Sequence, residues 1–215
     1  MSSPQICPSI LSCAPDDFRT SVREMMEGGA DWIHLDVMDG QFVPPITFGA
    51  DLAASVVKIG SVPVEAHLMT ETPDRHFDAF VSAGCRRIIF HAEATAHAHR
   101  LCQNLRERGV EAGVAVNPGT PIDVLQSLGG VLDFALVMTV NPGWGGQALI
   151  RSCIDKVRTL RAEFPDLAIQ CDGGVDPNSI KELWDAGCTH FVAGSYLVRE
   201  TSIEEGIRRL KEACA

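Results

Sequence analysis

The 215-residue chain is short of positive charge, of aromatic side chains and of long apolar runs. Only 18 Lys and Arg stand against 28 Asp and Glu, so the net charge is −10, which excludes general affinity for nucleic acid or for anionic membranes. No apolar stretch approaches the roughly 18 residues that a membrane span requires. The beginning, "MSSPQICPSILSC", has no basic segment followed by an apolar one, so no secretory signal is expected and a cytoplasmic location is. No CxxC occurs. The eight cysteines (7, 13, 85, 102, 153, 171, 188 and 214) are scattered, several of them in apolar surroundings, and read as reduced, buried thiols. Linkers, low-complexity segments and domain boundaries are also lacking, which predicts a single domain over 1–215.

What is present is a 46% hydrophobic chain with one recurring phrase. "EGGADWIHLD" (27–36), "SAGCRRIIFH" (82–91) and "DAGCTHFVAG" (185–194) each end a helix, stop it with Gly and begin an apolar strand; "RERGVEAGVAV" (106–116) is a looser copy. Apolar strands fed by helices indicate a parallel sheet covered on both faces. The pattern predicts strands near 6–11, 32–37, 63–69, 87–91, 112–116, 133–140, 167–172 and 189–193. It predicts helices near 16–27, 50–59, 73–83, 96–108, 121–128, 149–163, 177–186 and 202–213. Eight units of about 27 residues fit an α/β fold of the compact (β/α)8 TIM-barrel type. A doubly wound open sheet is disfavoured, because strand 1 is followed by "SCAPDDF" rather than by a glycine-rich fingerprint.

In such a barrel the chemistry lies where strands end. Side chains alternate along a strand, so His34 and Asp36 of "WIHLDVMDG" share the inward face with Trp32 and Met38, while Ile33, Leu35 and Val37 face the helices. By the same parity "VEAHLM" turns His67 and Met69 inward. Strand 7 ends at Asp172, and strand 4 ends in "FHAE" with His91 and Glu93. His34, Asp36, His67 and Asp172 are therefore predicted to converge. A mixed nitrogen and oxygen set of this kind suits one divalent ion, Zn²⁺ or Fe²⁺ first, with Mn²⁺ and Co²⁺ also compatible. Any one of these residues alone would be an ordinary core or turn residue; four together leave charge that an ion offsets. Asp39, before Gly40, reads as a turn residue.

Three glycine-rich loops complete the mouth: "NPGWGGQ" (141–147), "DGGVDP" (172–177) and "AGSY" (193–196). Loops after strands 7 and 8 form the recurring phosphate site of this fold, and glycine lets backbone N–H groups approach an anion. None of the three contains Lys or Arg, so amides are expected to bind the phosphate in spite of the acidic total charge.

These motifs, with "PSILS" (8–12), "GADWIHLDVMDGQFVP" (29–44), "VNPGTP" (116–121), "VMTVNPGWGGQ" (137–147), "CDGGV" (171–175) and "FVAGS" (191–195), resemble the ribulose-phosphate 3-epimerase family nearly end to end. The resemblance implies a ribulose-phosphate-binding barrel that is an isomerase, interconverting D-ribulose 5-phosphate and D-xylulose 5-phosphate by inverting C3. It implies that His34, Asp36, His67 and Asp172 hold the metal and that Asp36 and Asp172 are the two acid–base groups. It places Ser9, His67, Gly143, Trp144, Gly145, Gly146, Asp172, Gly173, Gly174, Gly194 and Ser195 on substrate contacts, with Met38, Met69 and Met138 lining the pocket. It also implies a phosphorylated ketose as partner and a homo-oligomer. The chain departs from the family's common pattern at Pro45, at Gln170 (commonly Glu), at Tyr196 and Arg199, and in the longer loop after strand 1. A sister enzyme acting on D-allulose 6-phosphate would share the same core residues, and a non-catalytic sugar-phosphate binder is the alternative of another class. Opposed carboxylates at 36 and 172 speak against the binder, and the His34/His67 pair speaks against a tryptophan-biosynthesis barrel.

Overall fold

The turns that feed the strands share one geometry. Gly29, Gly84, Gly109 and Gly187 all adopt positive φ, between 74° and 106°, a conformation that costs other L-residues energy and that turns the chain from the end of each helix into the next strand. In the computed structural model, which describes residues 3–14 and 16–214, this turn repeats around a (β/α)8 barrel. Its strands are β1 (Gln5–Pro8), β2 (Ile33–Met38), β3 (Val64–Met69), β4 (Arg87–His91), β5 (Glu111–Val116), β6 (Phe134–Met138), β7 (Ala168–Asp172) and β8 (His190–Ala193). The helices are α1 (Phe18–Glu27), α2 (Ala50–Val57), α3 (Phe77–Ala83), α4 (Ala98–Glu107), α5 (Ser152–Glu163), α6 (Ser179–Asp185) and α7 (Ile203–Ala213). Pro15, within the loop after β1 that the sequence marks as long, lies outside the described residues, as do residues 1, 2 and 215.

All the strand pairs are parallel, and the order runs β1-β8-β7-β6-β5-β4-β3-β2. The β1–β2 seam is closed by a bridge between Ser9 and His34. Lower down, the Ile6 N–H donates to Asp31 Oδ2 at 2.8 Å and the Asp31 N–H donates to the Ile6 carbonyl at 2.9 Å. A carboxylate thus replaces part of the missing ladder at the seam.

Two packed regions follow from the strand alternation. Leu35, Val37, Ala66, Leu68, Ile88, Phe90, Val114 and Val137 face out and are buried with Val22, Met25, Val56, Phe80, Leu105, Val157 and Leu210 from the helices. Each fully buried Leu, Ile or Phe contributes about 1.5–3 kcal/mol relative to exposure. Inside the barrel, Ile89, Ala115, Phe134, Leu136 and Met138 form a separate apolar cluster. Polar residues share the interior: His34, Asp36, Glu65, His67, Arg87, His91 and Gln170 are all buried. The apolar half fills the barrel, and the polar half builds the site.

Four predicted elements change shape. The predicted helix over 73–83 opens as a 3-10 turn over Pro73–His76 before α3 begins at Phe77. The predicted helix over 121–128 is a 3-10 helix over Ile122–Leu128. Its buried residues, Ile122, Leu125 and Leu128, recur every three positions, which matches three residues per turn rather than 3.6. The first strand stops at Pro8 instead of 11, because Ser9 caps a 3-10 turn over Ile10–Ser12 by accepting the Leu11 N–H. The sixth strand stops at Met138, where Thr139 turns to bind the β7–loop junction. The cysteines are all free, as the sequence predicts. Among the described residues no helix is long and apolar enough to cross a membrane.

Candidate metal centre and active site

Register brings the predicted residues together. Asp36 pairs opposite His67 and Met38 opposite Met69 across β2 and β3, while Met138 pairs opposite Asp172 across β6 and β7. His34, Asp36, His67 and Asp172 each offer one ligand atom, and these atoms lie within 4.8 Å of one another. Asp36 Oδ1 is 3.4 Å from both His34 Nε2 and His67 Nδ1; Asp172 Oδ2 is 3.9 and 3.6 Å from the same two nitrogens. Those nitrogens are buried and have no hydrogen-bond partner. A buried nitrogen left unpaired costs about 1–3 kcal/mol, and two of them facing two carboxylates are the donor set of a divalent cation. The residues fit the ion that the sequence predicts.

The outer nitrogens of both rings are engaged, each differently. His34 Nδ1 is 2.7 Å from Glu65 Oε1, which also accepts from Gln170 Nε2 at 2.7 Å. Glu65 Oε2 accepts from Arg87 Nη1 at 2.7 Å, and Arg87 Nε donates to Glu111 Oε2 at 2.8 Å. The guanidinium lies 4.0 Å from the Trp32 ring and 3.7 Å from the Phe134 ring. Burial would raise the Glu65 carboxyl, but His34, Arg87 and Gln170 outweigh it and hold it down at about 2. An ionised Glu65 can only accept, so His34 Nδ1 carries a proton and its Nε2 is left facing the cluster. His67 Nε2 lies 2.8 Å from His91 Nε2, with the two rings stacked, and His91 Nδ1 is 3.4 Å from Glu93 Oε2. Burial lowers the His67 imidazolium to about 4, so the ring is neutral and can offer Nδ1.

The two carboxylates differ in the same sense that acid–base pairs do. Burial opposes ionisation of Asp36, but His34 and His67 overcome it and hold its carboxyl far below the usual range. Its Oδ2 also accepts from Ser9 Oγ at 2.5 Å. Burial, and then the charge of Asp36, push Asp172 up to about 7. Both reach the cleft, with 6% and 14% of their side chains exposed, whereas His34 and His67 are sealed at 0%. His67, a substrate contact by resemblance, therefore lies beneath the cleft surface.

Met38, Met69 and Met138 line the cleft with Ser9, Gly143, Trp144, Gly145, Gly146, Gly173, Gly174, Gly194 and Ser195. Trp144 is 58% exposed and stands at the rim. Asp172 is held by its backbone: Thr139 Oγ1 donates to the carbonyls of Asp172 and Gly173 at 2.9 and 2.6 Å. Gly173 and Gly174 follow with φ of +113° and +67°. A Cβ on Gly174 would stand 2.5 Å from the Leu149 backbone nitrogen, so the loop closes only with glycine there.

Glu65, Arg87, Gln170 and Thr139 are not among the predicted site residues. The signal for two of them was available: Glu65 has the parity of His67 and Gln170 that of Asp172. Arg87 is placed opposite Glu65 by the β3–β4 register.

The model of the ribulose-phosphate 3 epimerase family matches residues 5–198. A ribulose-phosphate 3-epimerase of Bacillus subtilis (strain 168) is 39% identical over 212 residues, 96% of this chain and 98% of the relative. One from Rhodobacter capsulatus is 42% identical over 201 residues, 93% of this chain and 88% of the relative. Among solved structures, a 3-hexulose-6-phosphate synthase superposes with a TM-score of 0.73 at 16% identity over all of both chains. A phosphoribosylanthranilate isomerase from Thermotoga maritima superposes at 0.69 and 14% identity over 98% of each chain. These two structures share the fold.

Proposed function

The chain belongs to the ribulose-phosphate 3-epimerase family, a family of carbohydrate isomerases, and from that premise we propose that it inverts C3 of D-ribulose 5-phosphate and D-xylulose 5-phosphate. One observation carries the reading: Asp36 and Asp172 reach the same cleft beside two unpaired imidazole nitrogens. A sugar-phosphate binder has no use for such a pair.

Inverting a carbon next to a ketone removes a weakly acidic proton from one face and returns one to the other. In one direction the ionised Asp36 accepts the C3 proton, and protonated Asp172 donates its own to the opposite face. The carboxyls then stand with exchanged protonation, which is the starting state for the reverse direction. Ser9 Oγ, bound to Asp36 Oδ2, fixes the orientation of that carboxylate. Thr139 fixes the backbone of Asp172. The methionines exclude water from the reacting carbon without offering it a proton. His34, Asp36, His67 and Asp172 would hold a divalent cation, which supplies positive charge against the substrate oxygens as negative charge develops. The glycine loops after β6, β7 and β8 would take the phosphate through backbone N–H groups.

The reading extends to a homo-oligomer of single-domain chains working in the cytoplasm, with no nucleic-acid or membrane partner. Family membership and the net charge of −10 support this extension. Incubating the metal-loaded protein with D-ribulose 5-phosphate and following the C3 configuration by NMR tests the activity. Equilibration with D-xylulose 5-phosphate is expected. No conversion of it, with conversion of a six-carbon ketose phosphate instead, would move the assignment to the allulose-type enzyme.

A further inference from the structure

The amide cradle has no cation of its own, yet one stands beside it. Among the described residues, the N–H groups of Gly146, Gly174 and Ser195 donate to no backbone acceptor, and they belong to the three loops that rim the cleft. Beyond that rim a second depression shares Gly146, Gly174 and Ser195 with the cleft and adds two arginines, Arg151 and Arg199. Arg151 is committed to an ion pair with Glu182. Arg199 closes the short 3-10 turn Leu197–Arg199 that follows Gly194–Ser195. It is exposed, and among the described residues no carboxylate lies within ion-pair distance of it. Its Nη2 lies 3.6 Å from the point where a Cβ on Gly146 would stand. The guanidinium is thus laid within contact distance of the Gly146 position of the loop.

Electrostatics gives that placement a consequence. The chain carries a net charge of −10, and the charged side chains lining the cleft itself are Asp36 and Asp172. A phosphate ester approaching the cleft meets repulsion from the net negative charge of the protein as a whole. Neutral amides orient such an anion but add little long-range attraction. A free guanidinium at the rim supplies the attraction, and its planar fork matches phosphate oxygens in a bidentate way that an ammonium cannot.

We propose that Arg199 is the phosphate clamp of this site: a specificity-determining side chain that pairs with the phosphate held by the Gly146, Gly174 and Ser195 amides. It favours a phosphorylated ketose over the free sugar. The proposal rests on the reading of the ligand as a ketose phosphate.

The test titrates inorganic phosphate into the metal-loaded wild type, Arg199→Ala and Arg199→Lys by calorimetry, with circular dichroism confirming the fold of each. Arg199→Ala is expected to weaken phosphate about tenfold or more, the range for losing one charged hydrogen-bonding partner. It should also flatten the dependence of affinity on salt, and Arg199→Lys should recover only part of the loss. With ketose phosphate the loss should fall on KM rather than on kcat, and the preference for phosphorylated over free ketose should shrink. Phosphate affinity of Arg199→Ala within twofold of wild type would overturn the clamp, whatever the activity. Arg199-dependent phosphate binding in a protein that epimerises no ketose phosphate would uphold the clamp and remove the functional reading instead.

Discussion

Glu65 Oε1 lies 2.7 Å from His34 Nδ1, and both side chains are sealed from solvent. This contact turns the free nitrogen of His34 toward Asp36 and Asp172, so the metal centre is oriented from beneath as well as from its own strand ends. Glu65→Gln should weaken Zn²⁺ or Co²⁺ binding by roughly 10–100-fold, the usual cost of losing such a partner. A competition titration with a chromophoric chelator measures it. Unchanged affinity would mean that His34 is oriented by its strand alone.

Removing the Glu65 carboxylate altogether should harm the fold as well. Glu65→Ala leaves Arg87 buried between Trp32 and Phe134 with only the half-exposed Glu111 as its anion. Breaking one partner of a buried pair costs about 3–5 kcal/mol. Urea denaturation should show a loss of that order in Glu65→Ala and a smaller one in Glu111→Ala.

The two carboxylates should each be needed for turnover. Asp36→Asn and Asp172→Asn should each lower kcat by at least about 10²–10⁴-fold, the contribution of one positioned acid or base. Each variant should stay folded and still bind phosphate at the rim. Near-normal activity in either would end the two-carboxylate mechanism. Exhaustive chelation should likewise abolish activity, and re-addition of a divalent cation should restore it.

Metal affinity should rise with pH. In the metal-free protein Asp172 holds its proton up to about 7, through burial and the charge of Asp36, and that proton competes with a cation for the carboxyl oxygens. As pH rises through about 7 the site loses the competing proton, so affinity increases. Because Asp36 and Glu65 also keep His34 protonated well above its ordinary range against the pull of burial, the increase should continue past that point. Calorimetry in buffers of different ionisation enthalpy should find more protons released near pH 6 than near pH 8. A pH-independent affinity would contradict this.

Much of this site was legible in the sequence, and for a simple reason. Period-two alternation places His34 with Asp36 and His67 with Met69, and the turn glycines locate the strand ends, so the convergence follows from parity once the barrel is recognised. What parity alone does not reveal is a bond between strands. The Ser9–Asp36 contact depends on β1 ending early, because Ser9 caps a 3-10 turn. The Glu65–Arg87–Glu111 chain depends on the β3–β4–β5 register. The segment 121–128 has helix-like composition, and only the three-residue spacing of Ile122, Leu125 and Leu128 marks it as 3-10.

The proposed reaction turns on proton exchange at C3 between Asp36 and Asp172. It is tested most directly by placing the metal-loaded protein and D-ribulose 5-phosphate in D₂O and following deuterium at C3 by NMR. Deuterium is expected at C3 in both epimers with the wild type, and no epimerisation after Asp36→Asn or Asp172→Asn. Epimers that interconvert while C3 keeps its original hydrogen, or a wild-type protein that exchanges nothing with any ketose phosphate, would contradict it.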